Sequence, residues 1–279
     1  MCWLAQVSRA GYYRAWTAAE PVADEMDLRD RIQRIAVAHR HYGYRRVTAE
    51  LRRQGRAANH KRVARLMRLD NLLALRGAAF RPPTTDSKHG LRVYLNLAAR
   101  LRLTGPDQLW IADLTYIHLR GEFVYLAVVL DRWSRKVIGW RLSRSLQSAV
   151  AVDALRQALE SRRPPPGLVH HSDRGIQYAS EEYTGILGEH GLLSSMSRAG
   201  NPWDNAACES FMKTLKAEQI DGRRYATLEE LQQDIAAFLD GYYNTRRLHS
   251  LLGYRPPDEF EQQHQPGVPA AAVMEFFEA

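Results

Sequence analysis

Three carboxylates stand where an acid is costly unless something requires it. Asp113 interrupts the apolar run Leu109-Trp110-Ile111-Ala112-Asp113-Leu114-Thr115-Tyr116-Ile117. Asp173 follows the switch from apolar to polar in Leu168-Val169-His170-His171-Ser172, and Glu209 lies within the helix-like stretch Asn205 to Lys213. An ionised carboxylate taken out of water must be paired, hydrogen-bonded or bound to metal. Three oxygen donors suit a hard cation, Mg²⁺ or Mn²⁺, rather than zinc. Two such ions, about 3.5–4 Å apart, clamp a phosphodiester, one at the attacking oxygen and one at the leaving oxygen. In that scheme Asp113 bridges both ions, while Asp173 and Glu209 each complete one.

These acids need a frame. Strand-like runs at about 109–118, 121–131 and 135–143 are separated by the turn candidates Arg120-Gly121 and Arg132 to Ser134, which predicts an antiparallel meander. A helix at about 148–161 leads through Pro164-Pro165-Pro166-Gly167 to a short strand ending at His171. Further helices are expected at about 180–190, 204–219 and 227–246. Strands followed by alternating helix and strand predict an α/β unit, a mixed sheet covered by helices. Within it, His170 and His171 point to opposite faces, so at most His171 shares the side of Asp173, and a structural or DNA-proximal role is expected for it rather than metal binding. Asp131 reads as a turn acid, Asp204 as the cap of the helix bearing Glu209, and Cys208 as packing. Lys213 and Lys216 follow Glu209 by four and seven positions on one helix face; an ordinary Glu-Lys pair is the alternative to a ligand contact.

The N-terminal third has another texture. From Arg29 to Arg76 there are fourteen Lys and Arg against Asp30, Glu50 and Asp70, in a chain of net charge +8. Such charge fits a polyanionic partner. Leu28, Ile32 and Ile35 predict one helix, Val47 and Leu51 a second after Tyr42-Gly43-Tyr44, and Val63, Leu66 and Met67 a third capped by Asn59. Lys61, Arg65 and Arg68 line the outer face of the third. This describes a helix-turn-helix module, with Arg45, Arg46, Lys61, Arg62, Arg65 and Arg68 as candidate DNA contacts. A solvated basic face on an ordinary bundle accounts for the same pattern. Residues 77–106, with Arg81-Pro82-Pro83 and Gly105-Pro106, read as a connector. Two distant cysteines, Cys2 and Cys208, form no zinc or disulfide pattern, and no apolar run is long enough to span a bilayer. No signal peptide is evident, so the cytoplasm is the expected compartment.

Longer motifs narrow the reading. They are Trp110-Ile111-Ala112-Asp113-Leu114-Thr115-Tyr116-Ile117, His171-Ser172-Asp173-Arg174-Gly175 with Gln177-Tyr178, Ser195-Met196-Ser197-Arg198, and Gly200-Asn201 with Trp203-Asp204-Asn205-Ala206. Glu209-Ser210-Phe211, Leu215-Lys216 with Glu218, and Tyr243-Asn244 with Arg247 and His249 complete the set. Over about residues 25–260 the chain resembles the second-frame transposases of insertion-sequence family three, whose core is shared with retroviral integrases. The 35 residues between Asp173 and Glu209 match that family's signature spacing. Ile176, Pro202 and the stretch Arg92 to Leu103 depart from its usual pattern without removing an acid.

The resemblance implies an RNase H-like mixed five-stranded sheet flanked by helices, preceded by an all-α helix-turn-helix domain. It implies a division into an N-terminal segment (1–23), helix-turn-helix domain (24–78), linker (79–106), catalytic core (107–265) and tail (266–279). Asp113, Asp173 and Glu209 become the catalytic, metal-binding triad, with two Mg²⁺ ions (Mn²⁺ as substitute), and Lys213 and Lys216 become DNA contacts. The activity implied is nicking of insertion-sequence ends and transfer of the freed 3′-hydroxyl to a target phosphodiester. The implied partners are terminal inverted repeats, target DNA, further copies of the chain and the product of an upstream reading frame, in a bacterial, nucleoid-associated setting without a membrane. Two other readings stay open: a metal nuclease of RNase H type without strand transfer, and a DNA-binding regulator with a retired core.

Overall fold

The computed structural model describes residues 23–72, 74, 92–198 and 202–264. The expected N-terminal segment to residue 22, the Pro-rich part of the connector, Gly200-Asn201 and the tail 266–279 lie outside the described residues. The chain divides into two compact units at Arg76/Gly77.

The first unit holds three helices, α1 (Ala23–Ala38), α2 (Tyr44–Arg53) and α3 (His60–Leu69). Their apolar stripes supply the core: Leu28, Ile32, Ile35, Tyr42, Val47, Leu51, Val63, Leu66 and Met67 are all buried. Gly55, at φ +77°, turns the chain out of α2, a conformation that glycine adopts without strain. The Asn59 side chain accepts from the Lys61 N–H at 2.8 Å and so caps α3 as expected.

In the second unit five strands form one sheet, ordered β3 (Val137–Ser143), β2 (Glu122–Asp131), β1 (Leu109–Leu119), β4 (Val169–Ser172), β5 (Leu193–Met196). The first three are the antiparallel meander, and β4 and β5 join β1 in parallel. Leu119 pairs with Glu122, leaving Arg120 (φ 42°) and Gly121 (φ +90°) as a two-residue hairpin turn whose handedness matches the strand twist. Between the parallel strands run α4 (Ser148–Arg162), α5 (Ile176–Ala179) and α6 (Glu181–Glu189), with α7 (Ala206–Leu215), α8 (Leu228–Phe238) and α9 (Pro257–Gln263) following β5.

Alternation along the strands divides the core between two faces. Leu109 and Ile111 join Val124, Val128 and Leu130 with Ala207, Cys208, Phe211 and Leu215 of α7 and Leu231 and Ile235 of α8. Trp110 and Ala112 face the opposite way, onto Ala151, Leu155 and Ala158 of α4 and Tyr183 and Leu187 of α6.

Three expectations are adjusted. Residues 92–106 are packed on the core rather than acting as a bare connector: Tyr94 lies on the α4 face, Ala98 and Leu103 on the other. The Leu97 N–H also donates to Ser195 Oγ at 2.9 Å. The helix expected at 204–219 opens as a 3₁₀ turn (Pro202–Asn205) and closes as a widened π turn (Lys216–Ile220). The one expected at 227–246 likewise becomes α8 followed by a π turn (Leu239–Tyr243). Periodicity alone does not separate a π turn from the α-helix it extends.

Close packing of α4 on the sheet depends on Gly139 in β3. A Cβ there would stand 2.2 Å from the Ala154 carbonyl oxygen and 2.9 Å from the Ala158 nitrogen, both backbone atoms. Gly139→Ala should therefore destabilise the fold by about 1–3 kcal/mol. A thermal melt indistinguishable from that of the wild type would refute this close approach.

Candidate active site

The parallel pairing of β1 with β4 sets the geometry. Its register is Leu109↔Val169, Trp110↔His170 and Ile111↔His171. Continued by two residues, it brings Asp113 level with Asp173, which lies just beyond the end of β4. Asp113 has the parity of Leu109 and Ile111 and therefore lies on the α7 face of the sheet. Helix α7 is fastened to this part of β1 by Asn205 Nδ2, which donates to the Ala112 carbonyl at 3.3 Å, and by Cys208 Sγ, which donates to the Ile111 carbonyl at 3.4 Å. Glu209 follows Cys208 directly, so the same anchoring delivers it to the neighbourhood of Asp113.

The electrostatics agree with this convergence. The Asp113 side chain is partly exposed and accepts the Leu114 N–H at 2.9 Å. Burial raises its pKa to about 8, with the Asp173 charge and then the Glu209 charge adding to the rise. Among the described residues no three His, Cys, Asp or Glu side chains already stand as a formed metal-ligand set. The donors nonetheless fit a hard divalent cation: all are oxygen, and two like charges destabilise a buried third, a strain that a cation relieves.

The surrounding residues hold these acids in place. Asp173 Oδ1 accepts the Gly175 N–H at 2.9 Å, and a Cβ on Gly175 would stand 2.9 Å from that same oxygen. His171 is held by Ser195 Oγ (2.8 Å) and Ser197 Oγ (3.0 Å), and His170 by the Tyr183 hydroxyl (3.0 Å). Burial lowers the two imidazoles to about 4 and about 3, so both are neutral at pH 7 and act structurally. Lys213 Nζ lies 3.5 Å from Glu209 and is largely exposed, whereas Lys216 is half-buried with its ammonium 4.5 Å from the centre of the Tyr116 ring.

Asp204 is not the expected helix cap. It accepts the Arg198 N–H at 2.9 Å and the guanidinium at 3.0 and 3.1 Å, and Arg198 holds its carboxyl down to about 2. Helix α7 begins after Asn205 with no side-chain cap. Asp131 is the turn acid that its context predicted: fully buried, it accepts from the N–H groups of Asp107, Trp133 and Ser134 and from Ser134 Oγ. Ile176, one of the departures, is half exposed.

The C-terminal motif, Tyr243-Asn244 with Arg247 and His249, supplies two anchors. Asn244 makes a two-way amide bond with the backbone of Val137, both contacts 3.0 Å, and Arg247 grips Glu218 at 2.6 and 2.9 Å with both side chains buried. Tyr178 escaped the sequence reading as a site residue. Its buried hydroxyl lacks a hydrogen-bond partner, and the charges of Asp113 and Asp173 add to the burial that raises its pKa.

In the helical unit Lys61, Arg65 and Arg68 are exposed along α3, as the spacing predicts. The charge there is more offset than the window from Arg29 to Arg76 implied. Asp24 and Glu25 of α1, just upstream of that window, pair with Arg62 at 3.3 and 3.5 Å, and Glu25 also pairs with Arg65 at 3.3 Å. Arg45 lies over the Tyr44 ring and Arg46 over the Tyr42 ring. Among the described residues Lys61 and Arg68 make no ion pair.

A five-stranded sheet with this order, and acids at the β1–β4 junction and on α7, defines an integrase-type core. Integrase core domain models match residues 104–202 and 190–257, and an HTH-like domain model matches residues 23–79. The chain is 41% identical over 231 residues to the transposase for insertion sequence element IS904 of Lactococcus lactis subsp. lactis (strain IL1403), covering 81% of this chain and 91% of that protein. It is 36% identical over 270 residues to transposase InsF for insertion sequence IS3A of Escherichia coli (strain K12), covering 95% and 93%. The chain belongs to this family, the transposases of insertion-sequence family three. The integrase-like fold is also met in the simian T-cell lymphotropic virus intasome solved with a PP2A regulatory subunit, at TM-score 0.51 and 15% identity over 89% of this chain and 80% of that one. The fold is RNase H-like. No helix among the described residues is long and apolar enough to cross a membrane.

Substituting Lys61 and Arg68 together with Ala should weaken duplex DNA binding and reduce its salt slope by about 1.8, roughly 0.9 per phosphate contact. Binding isotherms at graded salt test this, and an unchanged slope would remove both residues from the interface.

Proposed function

We propose that this chain is a DNA transposase that nicks insertion-sequence ends and transfers the resulting 3′-hydroxyl to a target phosphodiester. Asp113, Asp173 and Glu209 are its catalytic carboxylates and the ligands of two Mg²⁺ ions, with Mn²⁺ as a substitute. The observation that carries this reading is the β1–β4 register, which aligns Asp113 with Asp173 on the sheet face where α7 delivers Glu209. Bound Mg²⁺ supplies charge stabilisation at the phosphodiester and a more acidic attacking oxygen.

The chain's own residues do the rest. Asp113, anchored through the Leu114 N–H, holds the centre of the site, and the Gly175 N–H fixes the orientation of Asp173. Glu209, on a helix and paired with the exposed Lys213 ammonium, reorients as DNA arrives. Lys213 and Lys216 then present positive charge to the phosphates flanking the cut. The helix-turn-helix domain (24–78) binds DNA separately from the core (107–265). The substrates are the terminal inverted repeats and target DNA. Joining two ends calls for more than one copy of the chain, and the product of an upstream frame is a further partner. The setting is the bacterial nucleoid.

A metal nuclease of the same fold would share these acids, so hydrolysis alone does not decide between the two. A labelled oligonucleotide carrying a recessed 3′-hydroxyl, incubated with target duplex and Mg²⁺, should yield joined product. Cleavage without joining would favour the nuclease. Asp113→Asn should abolish both steps while DNA binding survives, and full cleavage by that variant would exclude Asp113 as an essential ligand.

The same substitution has a second readout. A carboxyl raised from 3.8 to about 8 binds its proton more tightly in the folded state. Its contribution to stability is complete below about pH 4 and is lost as pH rises through about 8. Metal-free wild type should therefore lose stability relative to Asp113→Asn progressively as pH rises from about 4 to about 8, with a loss of about 2–4 °C in Tm per kcal/mol, and level off above that. Mg²⁺ should restore the wild type and leave the variant unmoved. Parallel melting curves for the two proteins across that range, with or without Mg²⁺, would contradict the assignment.

A further inference from the structure

The turn between β2 and β3 carries two arginines that the site above does not use. Arg132 and Arg135 have pinned backbones: the Arg132 N–H donates to the Leu109 carbonyl at 2.9 Å, and the Arg135 N–H to the Asp131 carbonyl at 2.9 Å. Arg135 is held in the left-handed region, at φ 62°. Both residues are only partly exposed, yet among the described residues neither guanidinium has a hydrogen bond, ion pair or ring contact. Two guanidinium groups with five N–H donors each are thus left unanswered. None of their nitrogens is among the buried, unsatisfied atoms, so solvent or a ligand can reach them.

Other charged groups nearby are accounted for. Asp131 has its oxygens occupied by three backbone N–H groups and one hydroxyl, and none of these donors is a guanidinium. Lys136 pairs with Asp258 at 2.7 Å and with Glu261, while Arg162 pairs with Glu261 and Asp107. Glu261 and Asp258 are thereby engaged elsewhere. Burial and repulsion from Arg132 lower the Arg135 guanidinium to about 10, and burial lowers Arg132 as well. The Asp131 charge offsets part of the burial at Arg132, but Asp131 accepts no hydrogen bond from it, so a partly desolvated guanidinium gains from an anion that does.

We propose that Arg132 and Arg135 form a phosphate-binding subsite of the core that takes a backbone phosphate of duplex DNA at a distance from the three carboxylates. The proposal rests on the transposase reading for its choice of ligand. Two planar guanidinium forks match the tetrahedral oxygens of a phosphodiester, which accept paired N–H donors. The position suits DNA that is already engaged at the acids. Arg132 is bonded to Leu109, four residues before Asp113 on β1, and α7 is bonded to Ile111 between them, just before Glu209. Four strand residues span about 13 Å, a separation of about two phosphates along a DNA strand. Phosphate contacts of this kind fix position and register and carry no base sequence.

The test uses the full chain, fluorescently labelled duplex and binding isotherms at graded salt, with melting curves for every variant. Arg132→Gln with Arg135→Gln removes the mutual repulsion as well as the charge. It is expected to melt no lower than the wild type and to reduce the salt slope by about 1.8, roughly 0.9 per phosphate lost. Arg132→Lys with Arg135→Lys should keep most of the slope. Should the double Gln variant fail to fold, each single variant is expected to reduce the slope by about 0.9.

Inorganic phosphate, compared with chloride at equal ionic strength, separates the two sources of anion. A folded Gln variant with an undiminished slope overturns the subsite, and loss of phosphate protection alongside that undiminished slope assigns the arginines to a free anion instead. A wild-type chain that binds no duplex at any salt overturns the transposase reading itself. A chain that binds duplex but ignores these arginines overturns only the subsite.

Discussion

The pairing of β1 with β4 is the contact on which the site depends. Both strands are short at their junction, and the parallel ladder covers Leu109 to Ile111 against Val169 to His171. Because side chains alternate with period two, a slip of one residue would turn Asp113 away from α7 and toward the α4 face. That slip is opposed from both sides of the sheet. Trp110 is buried on the α4 face with its indole N–H held by Asp107, and Ile111 is buried on the α7 face. The antiparallel ladder of β1 with β2, continuous from Trp110↔Asp131 to Leu119↔Glu122, locks the strand from its other edge.

The third acid reaches the site by a longer route. Glu209 belongs to α7, and α7 is positioned by its contacts to the carbonyls of Ile111 and Ala112, the residues that precede Asp113. Downstream, the helix widens into the π turn at Lys216–Ile220, which places Glu218 against Arg247 in a buried, two-pronged ion pair. Removing one partner of such a pair leaves an uncompensated buried charge, which typically destabilises by about 3–5 kcal/mol. Asn244 then fastens the chain after α8 to the start of β3 by serving as a surrogate peptide group. The last motif of the sequence acts as a brace that keeps α7, and with it Glu209, on the sheet.

Charge is distributed so that the protein without its ligands is under electrostatic stress at two places. The charges of Asp173 and Glu209 act on Asp113, and two arginines repel each other on the β2–β3 turn. Elsewhere the buried ions are matched, as with Glu218–Arg247 and Arg162–Glu261. Sites of opposite sign that are only partly compensated are what the proposed cation and phosphate sites require.

Much of this was legible in the residues themselves. The three helices of the first unit, the meander, and the helix after it follow from apolar period and turn residues, because local pattern and burial agree there. Acids set in apolar runs singled out Asp113, Asp173 and Glu209 as the proposed triad, since solvation makes such placements costly. Tertiary structure decided what depends on partners distant in sequence. It replaced the expected cap at Asp204 with a clamp on Arg198, and matched Arg62 and Arg65 with acids from α1. It also converted two helix ends into π turns and, among the described residues, left the Arg132 and Arg135 guanidiniums without an ion pair. Periodicity reports which face of an element is apolar, whereas the pairing of a charge depends on which other charge the fold brings beside it.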